Sequence, residues 1–256
     1  MDPLPYDQTL KSMADTLADL AARVPSPVLI ENAGAYVYRY RERTIHQAII
    51  QKLARVVSGL HAAHLLAAQG FFQEQGVLQR VIDELNEDVT FLSFGAITGD
   101  VTPLHLEYLD AFYQEEFDQP GDALASSQRR PMVPRQKIRA YLSRTIRISD
   151  PSSKAEVLRT ISKIYSGFVH GASPHIMDMY GGAPPRWHVA GMLATPLTED
   201  HREDLWNSVY RAIGSFALAA KAFGVEELYI VVRDYMRAFA AAAGQEYAHP
   251  TSDHEA

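Results

Sequence analysis

Apolar residues recur three and four positions apart along almost the whole chain, and that period excludes most other ways of folding it. Between about Arg41 and Gln69, the side chains of Ile45, Ile49, Leu53, Val56, Leu60 and Ala63 share one side of a helix. The same period predicts helices over about Asp7–Val24, Val77–Ala96, Arg135–Ile148, Ser152–Val169, Thr198–Phe223 and Val225–Ala243. Another is predicted from Thr102 as N-cap, with Pro103 at the first helical position, to about Phe117. Pro25 and Pro27 end the first helix by removing backbone donors, and Gly70 and Gly76 bracket a break after the second. The Val-rich run at 228–232 has strand propensity, but Leu228, Val231, Tyr235 and Phe239 keep the helical period. Strict alternation is nearly absent. The expectation is an all-α, multi-helix bundle of seven to nine helices, one domain over 1–244 with a flexible C-terminal tail over 245–256.

Two connections are longer than the roughly 2–8 residues that join helices in bundles. Asp118–Pro134 is rich in Pro and Ser and has little bulky apolar content, which reads as a flexible loop. Gly171–Pro196 carries Ile176, Met177, Met179, Tyr180, Trp187 and Met192, and so many large side chains predict a loop packed onto the bundle. The 256 residues include no cysteine, which excludes disulfides, thiolate metal sites and thiol nucleophiles. The first residues lack the basic and apolar regions of a signal peptide, and no apolar run is long enough to span a bilayer. A cytoplasmic protein with no membrane association is expected, with a homodimer open as an assembly. No cofactor is expected.

Candidate chemistry therefore rests on histidines, carboxylates and basic residues. His170, His175, Asp178 and His188 offer a weak metal set, while His170 and His175 are alternative acid–base groups. Tyr180, Arg186, Trp187 and His188 are candidate ligand contacts, with the guanidinium fork of Arg186 suited to an anion. The plainer reading of this segment is turns at its glycines and histidines bonded to loop backbone. In the third helix Arg80 and Glu84 stand four apart, either as a surface ion pair or as lining of a cavity between helices. The net charge of −7 conceals an uneven distribution: 129–163 holds ten Lys or Arg and two acids. On that stretch Arg135, Lys137, Arg139, Arg144 and Arg147 surround the apolar side of a helix. Such a patch suits either a phosphate backbone or the acidic remainder of the chain.

The segments QRVIDELNEDVTFL and IYSGFVHGASPH carry a resemblance. The first resembles the arginine-then-glutamate helix of an uncharacterised bacterial all-helical family related to the HEPN superfamily. The second is similar to that family's later segment, where a histidine follows a short hydrophobic helix end. The resemblance implies an all-α bundle and an RNA-binding or metal-independent RNA-cleaving role, with His170 as base. HEPN ribonucleases place an arginine four to six residues before that histidine; here Lys163 is the nearest basic residue before His170 and no arginine is closer than Arg159.

Together these readings point first to a binding or regulatory module, with a pocket formed by the 171–196 loop for a small polar ligand. An RNA-directed protein is the alternative, and a zinc or iron enzyme using the loop histidines is a third.

Overall fold

The computed structural model describes residues 5–32, 34–115, 117, 119, 122, 124–127, 131–145, 160, 163–193 and 195–244. Among these residues the chain is an all-α protein of nine helices with two short two-stranded hairpins. The helices are α1 (Tyr6–Ala21), α2 (Ile45–Gln69), α3 (Phe72–Thr98), α4 (Pro103–Tyr113), α5 (Arg135–Thr145), α6 (163–169), α7 (Ser173–Met177), α8 (Thr198–Ala222) and α9 (Glu226–Ala242). Strands β1 (Val28–Asn32) and β2 (Ala35–Arg39) pair antiparallel, as do β3 (Tyr180–Gly181) and β4 (Arg186–Trp187). The 245–256 tail, and most of the helix expected over 152–169, lie outside the described residues.

The α2 stripe is buried as its period requires, with Ile49, Leu53, Val56, Leu60 and Ala63 fully shielded. It packs on Ile82, Val89 and Leu92 of α3 and, with them, on Val209, Ile213 and Phe216 of α8. Gly70 and Phe71 alone separate α2 from α3, so the two run antiparallel. Helix α2 begins at Ile45 because Thr44 and Gln47 cap it reciprocally, each side chain bonded to the other's backbone N–H. The expected extension back to Arg41 is taken instead by a bend that follows β2, which ends at Arg39.

Two further boundaries differ from expectation for physical reasons. Gly76 does not interrupt α3; it is buried within it, and a Cβ there would stand 2.7 Å from the Phe168 ring. The glycine is therefore a seat for α6 rather than a break. The β1–β2 hairpin was hidden because five-residue strands offer only two or three alternations each. Its inward positions Val28, Ile30 and Val37 are only half-buried.

The 171–196 loop packs on the bundle at its far end. Met192 is buried, and its N–H donates to the Gly70 carbonyl at 2.8 Å. A Cβ on Gly70 would lie 2.6 Å from Met192 N, and one on Gly191 would lie 2.3 Å from the Gln69 carbonyl oxygen. Both glycines also have positive φ, so this crossing admits no larger residue without backbone movement. No helix among the described residues is long and apolar enough to cross a membrane.

Candidate functional site

Helix α3 buries an unusual set of side chains. Gln75, Gln79, Asp83 and Asn86 recur at helical spacing beside the apolar stripe, and Glu87 and Asp88 follow on the next face. Buried polar groups cost free energy unless they are bonded. Where these six find partners, and where they do not, defines the site.

Glu87 and Asp88 are answered by α5 and α2. Asp88 is fully buried and receives both terminal nitrogens of Arg135, with Lys52 Nζ at 2.9 Å from Oδ2. Lys52 also stands 4.6 Å from the centre of the Phe112 ring. Arg139 Nε donates to Glu87 Oε1 at 3.0 Å. Burial pushes the Asp88 carboxyl upward, but the charges of Arg135 and Lys52 outweigh it and hold the group below the ordinary range. For Glu87 burial wins over Arg139, and its carboxyl sits higher than usual.

These pairs bear on the two readings of the basic stretch. Arg135 and Arg139, expected as phosphate contacts, are engaged with acids of the same chain because α5 lies directly on the acidic side of α3. Exposed Lys137 pairs with Glu107 at 3.3 Å, Arg144 is exposed, and Arg147 lies outside the described residues.

The other polar face of α3 meets α8. Gln75 Nε2 donates to the His201 carbonyl at 2.8 Å, Arg211 Nη2 to Asp83 Oδ1 at 2.7 Å, and Ser215 Oγ to Asn86 Oδ1 at 2.8 Å. Position numbers rise together on both helices, so α3 and α8 run parallel here. That register sets Gln79 level with Asp204–Ser208. Gln79 and Ser208 are fully buried, and among the described residues neither Gln79 side-chain atom nor Ser208 Oγ has a partner. Gln75 Oε1, Asp83 Oδ2, Asn86 Nδ2 and Arg211 Nε are likewise buried without partners among those residues. Tyr165 of α6 closes the seam from above, its hydroxyl donating to Asp204 Oδ1 at 3.1 Å. Burial, then the nearby charges of Asp204 and Asp83, keep this phenol well above its ordinary range. Burial also pushes the Asp83 carboxyl up to about 6 against the opposing pull of Arg211.

The loop residues fall outside this seam. His175 lays its ring on Gly167, with the His175 and Phe168 ring centres 4.4 Å apart in an edge-to-face contact, and its carbonyl accepts from Gln73 Nε2 at 2.6 Å. It thus braces α6. His170 is exposed, as is Asp178. His188 Nε2 lies 3.1 Å from the Gly181 carbonyl oxygen, a bond within its own hairpin. The metal reading of His170, His175, Asp178 and His188 is corrected accordingly: among the described residues no three histidines or acids come together to hold an ion. Tyr180, Arg186 and Trp187 are exposed on β3–β4, with the two rings 5.1 Å apart. Arg80 and Glu84 do form their pair, at 2.6 Å, and Arg80 lies close enough to Asp83 to influence its charge.

Sequence reasoning missed Gln75, Gln79, Asp83, Asn86, Tyr165, Asp204, Ser208 and Arg211. A signal existed: 75, 79, 83, 86 and 204, 208, 211, 215 are two polar stripes at helical spacing. Neither stripe is singled out by composition or motif, because each shows its role only against the other. Compared with family models, curated proteins and solved structures, the chain matches none.

Proposed function

We propose that the protein is a binding module whose pocket is the polar seam between α3 and α8, closed by Tyr165. One observation carries this reading: on a single seam, five buried side chains and the half-buried Arg211 hold buried polar atoms with no partner among the described residues. Native interiors leave few such groups, and each calls for a water, an ion or a ligand. The free atoms include donors (Arg211 Nε, Asn86 Nδ2, Gln79 Nε2) and acceptors (Gln75 Oε1, Gln79 Oε1, Asp83 Oδ2). The seam's charges are already engaged: Asp83 faces Arg211, and Asp204 accepts from the Tyr165 hydroxyl. A charged guest would arrive without a counter-ion and lose its hydration. The ligand is therefore a small, uncharged molecule rich in hydroxyl or amide groups. The 171–196 loop contributes by bracing α6, through His175, rather than by lining the pocket.

The test is thermal unfolding against a panel of uncharged polyols, amides and nucleobases, using wild type and Gln79→Leu. At least one compound should raise the wild-type midpoint and leave the variant unmoved. Equal shifts in both proteins would place any binding elsewhere.

A further inference from the structure

A cavity remote in character from the polar seam lies where the β1–β2 hairpin meets α2 and α4. Its volume is about 560 Å³, within the roughly 300–1,000 Å³ of small-molecule sites. Tyr38, Tyr40, Phe112 and Tyr113 make its walls, and its polar groups are Arg43, Gln51, Gln114 and the paired Arg39 and Glu115. The Tyr113 hydroxyl donates to the Thr44 carbonyl at 2.8 Å, which fixes its ring in place.

Arg43 is the informative residue. It has a φ of 54°, and it is the one residue other than glycine with positive φ among those described. Such a conformation costs energy in an L-residue, and strain of this kind concentrates at binding sites. The neighbouring Arg39 is held by Glu115 through two bonds of 2.6 and 2.9 Å. Arg43 has no ion pair with any described residue, although it sits beside the same acid-bearing wall. A strained backbone thus presents an uncommitted guanidinium at the mouth of an aromatic chamber. Rings stack on tyrosine faces, and a guanidinium fork recognises carboxylate, sulfonate or phosphate oxygens.

We infer that this cavity is a binding site for a planar aromatic anion, with the ring between Tyr38, Tyr40 and Phe112 and the acidic group on Arg43. The inference is independent of the seam.

The probes are 1-anilinonaphthalene-8-sulfonate and N-phenyl-1-naphthylamine, which share their rings and differ in the sulfonate. Each is titrated by fluorescence into wild type, Arg43→Gln, Arg43→Gly, Tyr40→Ala and Gln79→Leu. Wild type should bind the sulfonate saturably at one site. Both Arg43 variants should weaken it about tenfold, the loss of one charged contact, while leaving the neutral probe within about twofold. Tyr40→Ala should weaken both probes, and Gln79→Leu neither. Arg43→Gly, which suits the positive φ, should unfold no earlier than wild type while binding the sulfonate as poorly as Arg43→Gln. Equal sulfonate affinity in wild type and Arg43→Gln, a parallel loss of both probes in the Arg43 variants, or no saturable binding by wild type overturns the proposal.

Discussion

Asp83 accepts from Arg211 Nη2 at 2.7 Å through one carboxylate oxygen, while its other oxygen is buried with no partner among the described residues. This half-satisfied pair joins α3 to α8 at the middle of the seam. Its ionisation should mark stability. Because burial lifts the folded carboxyl to about 6, above the unfolded value of about 3.9, the group favours folding most below pH 4. That contribution is lost as pH rises through about 6. The free energy of wild type minus that of Asp83→Asn, from urea melts, should therefore fall between pH 4 and pH 7. A difference that rises would show that the pair with Arg211 dominates burial.

His105 should titrate in the opposite sense. Its Nδ1 accepts the Thr102 N–H at 3.2 Å, which leaves Nε2–H to donate to the Phe91 carbonyl at 3.1 Å. The ring is stacked 4.0 Å from Phe91, and burial lowers its basicity. A neutral ring is thus built into the fold, and its stabilising contribution is present above pH 6.5 and lost as pH falls below it. Relative to His105→Gln, wild type should lose stability between pH 7 and pH 5. Parallel curves would show that the imidazolium is tolerated.

Asp88 anchors α5. Replacing it with Asn leaves Lys52 and Arg135 facing each other without the buried carboxylate, a change worth about 3 kcal/mol or more for a buried pair. Arg135→Met alone should cost less, because its side chain is partly exposed and Lys52 still answers Asp88. Equal costs in the two variants would deny the arrangement described.

Gln79→Leu should behave unlike most core substitutions. Removing a buried amide without partners relieves a desolvation penalty of about 1–3 kcal/mol, so the denaturant midpoint should hold or rise. A clear fall would mean the amide is bonded, with ordered water as the first candidate.

Gly191→Ala tests the loop. With φ of 115° and the Gln69 carbonyl 2.3 Å from any Cβ, the crossing must open. Limited proteolysis should then cut within 171–196 faster than in wild type. Unchanged cleavage would show that the loop is held elsewhere.

Much of this architecture was legible as pattern. The α2 stripe, the Thr102–Pro103 helix start and the helical period through Leu228–Phe239 all follow from spacing and cap chemistry, which are local. What escaped notice depends on pairs of distant elements. Gly76 reads as a break until Phe168 is brought against it. Gln79 and Ser208 read as surface until two polar stripes meet face to face. The loop histidines have versatile chemistry as residue types, yet His175 serves as packing for α6 and His188 as a hairpin bond. Arg135 and Arg139 showed their charge in the sequence but not their partners, 47 and 52 residues away.

The most direct test of the seam as a binding site is the mass of the purified protein under non-denaturing conditions, compared with its mass after denaturation. A bound molecule should appear as a single extra mass, released on unfolding and missing from Gln79→Leu. Identical masses in wild type, together with no compound of the panel shifting its unfolding, would mean that water alone fills the seam and would contradict the proposed function.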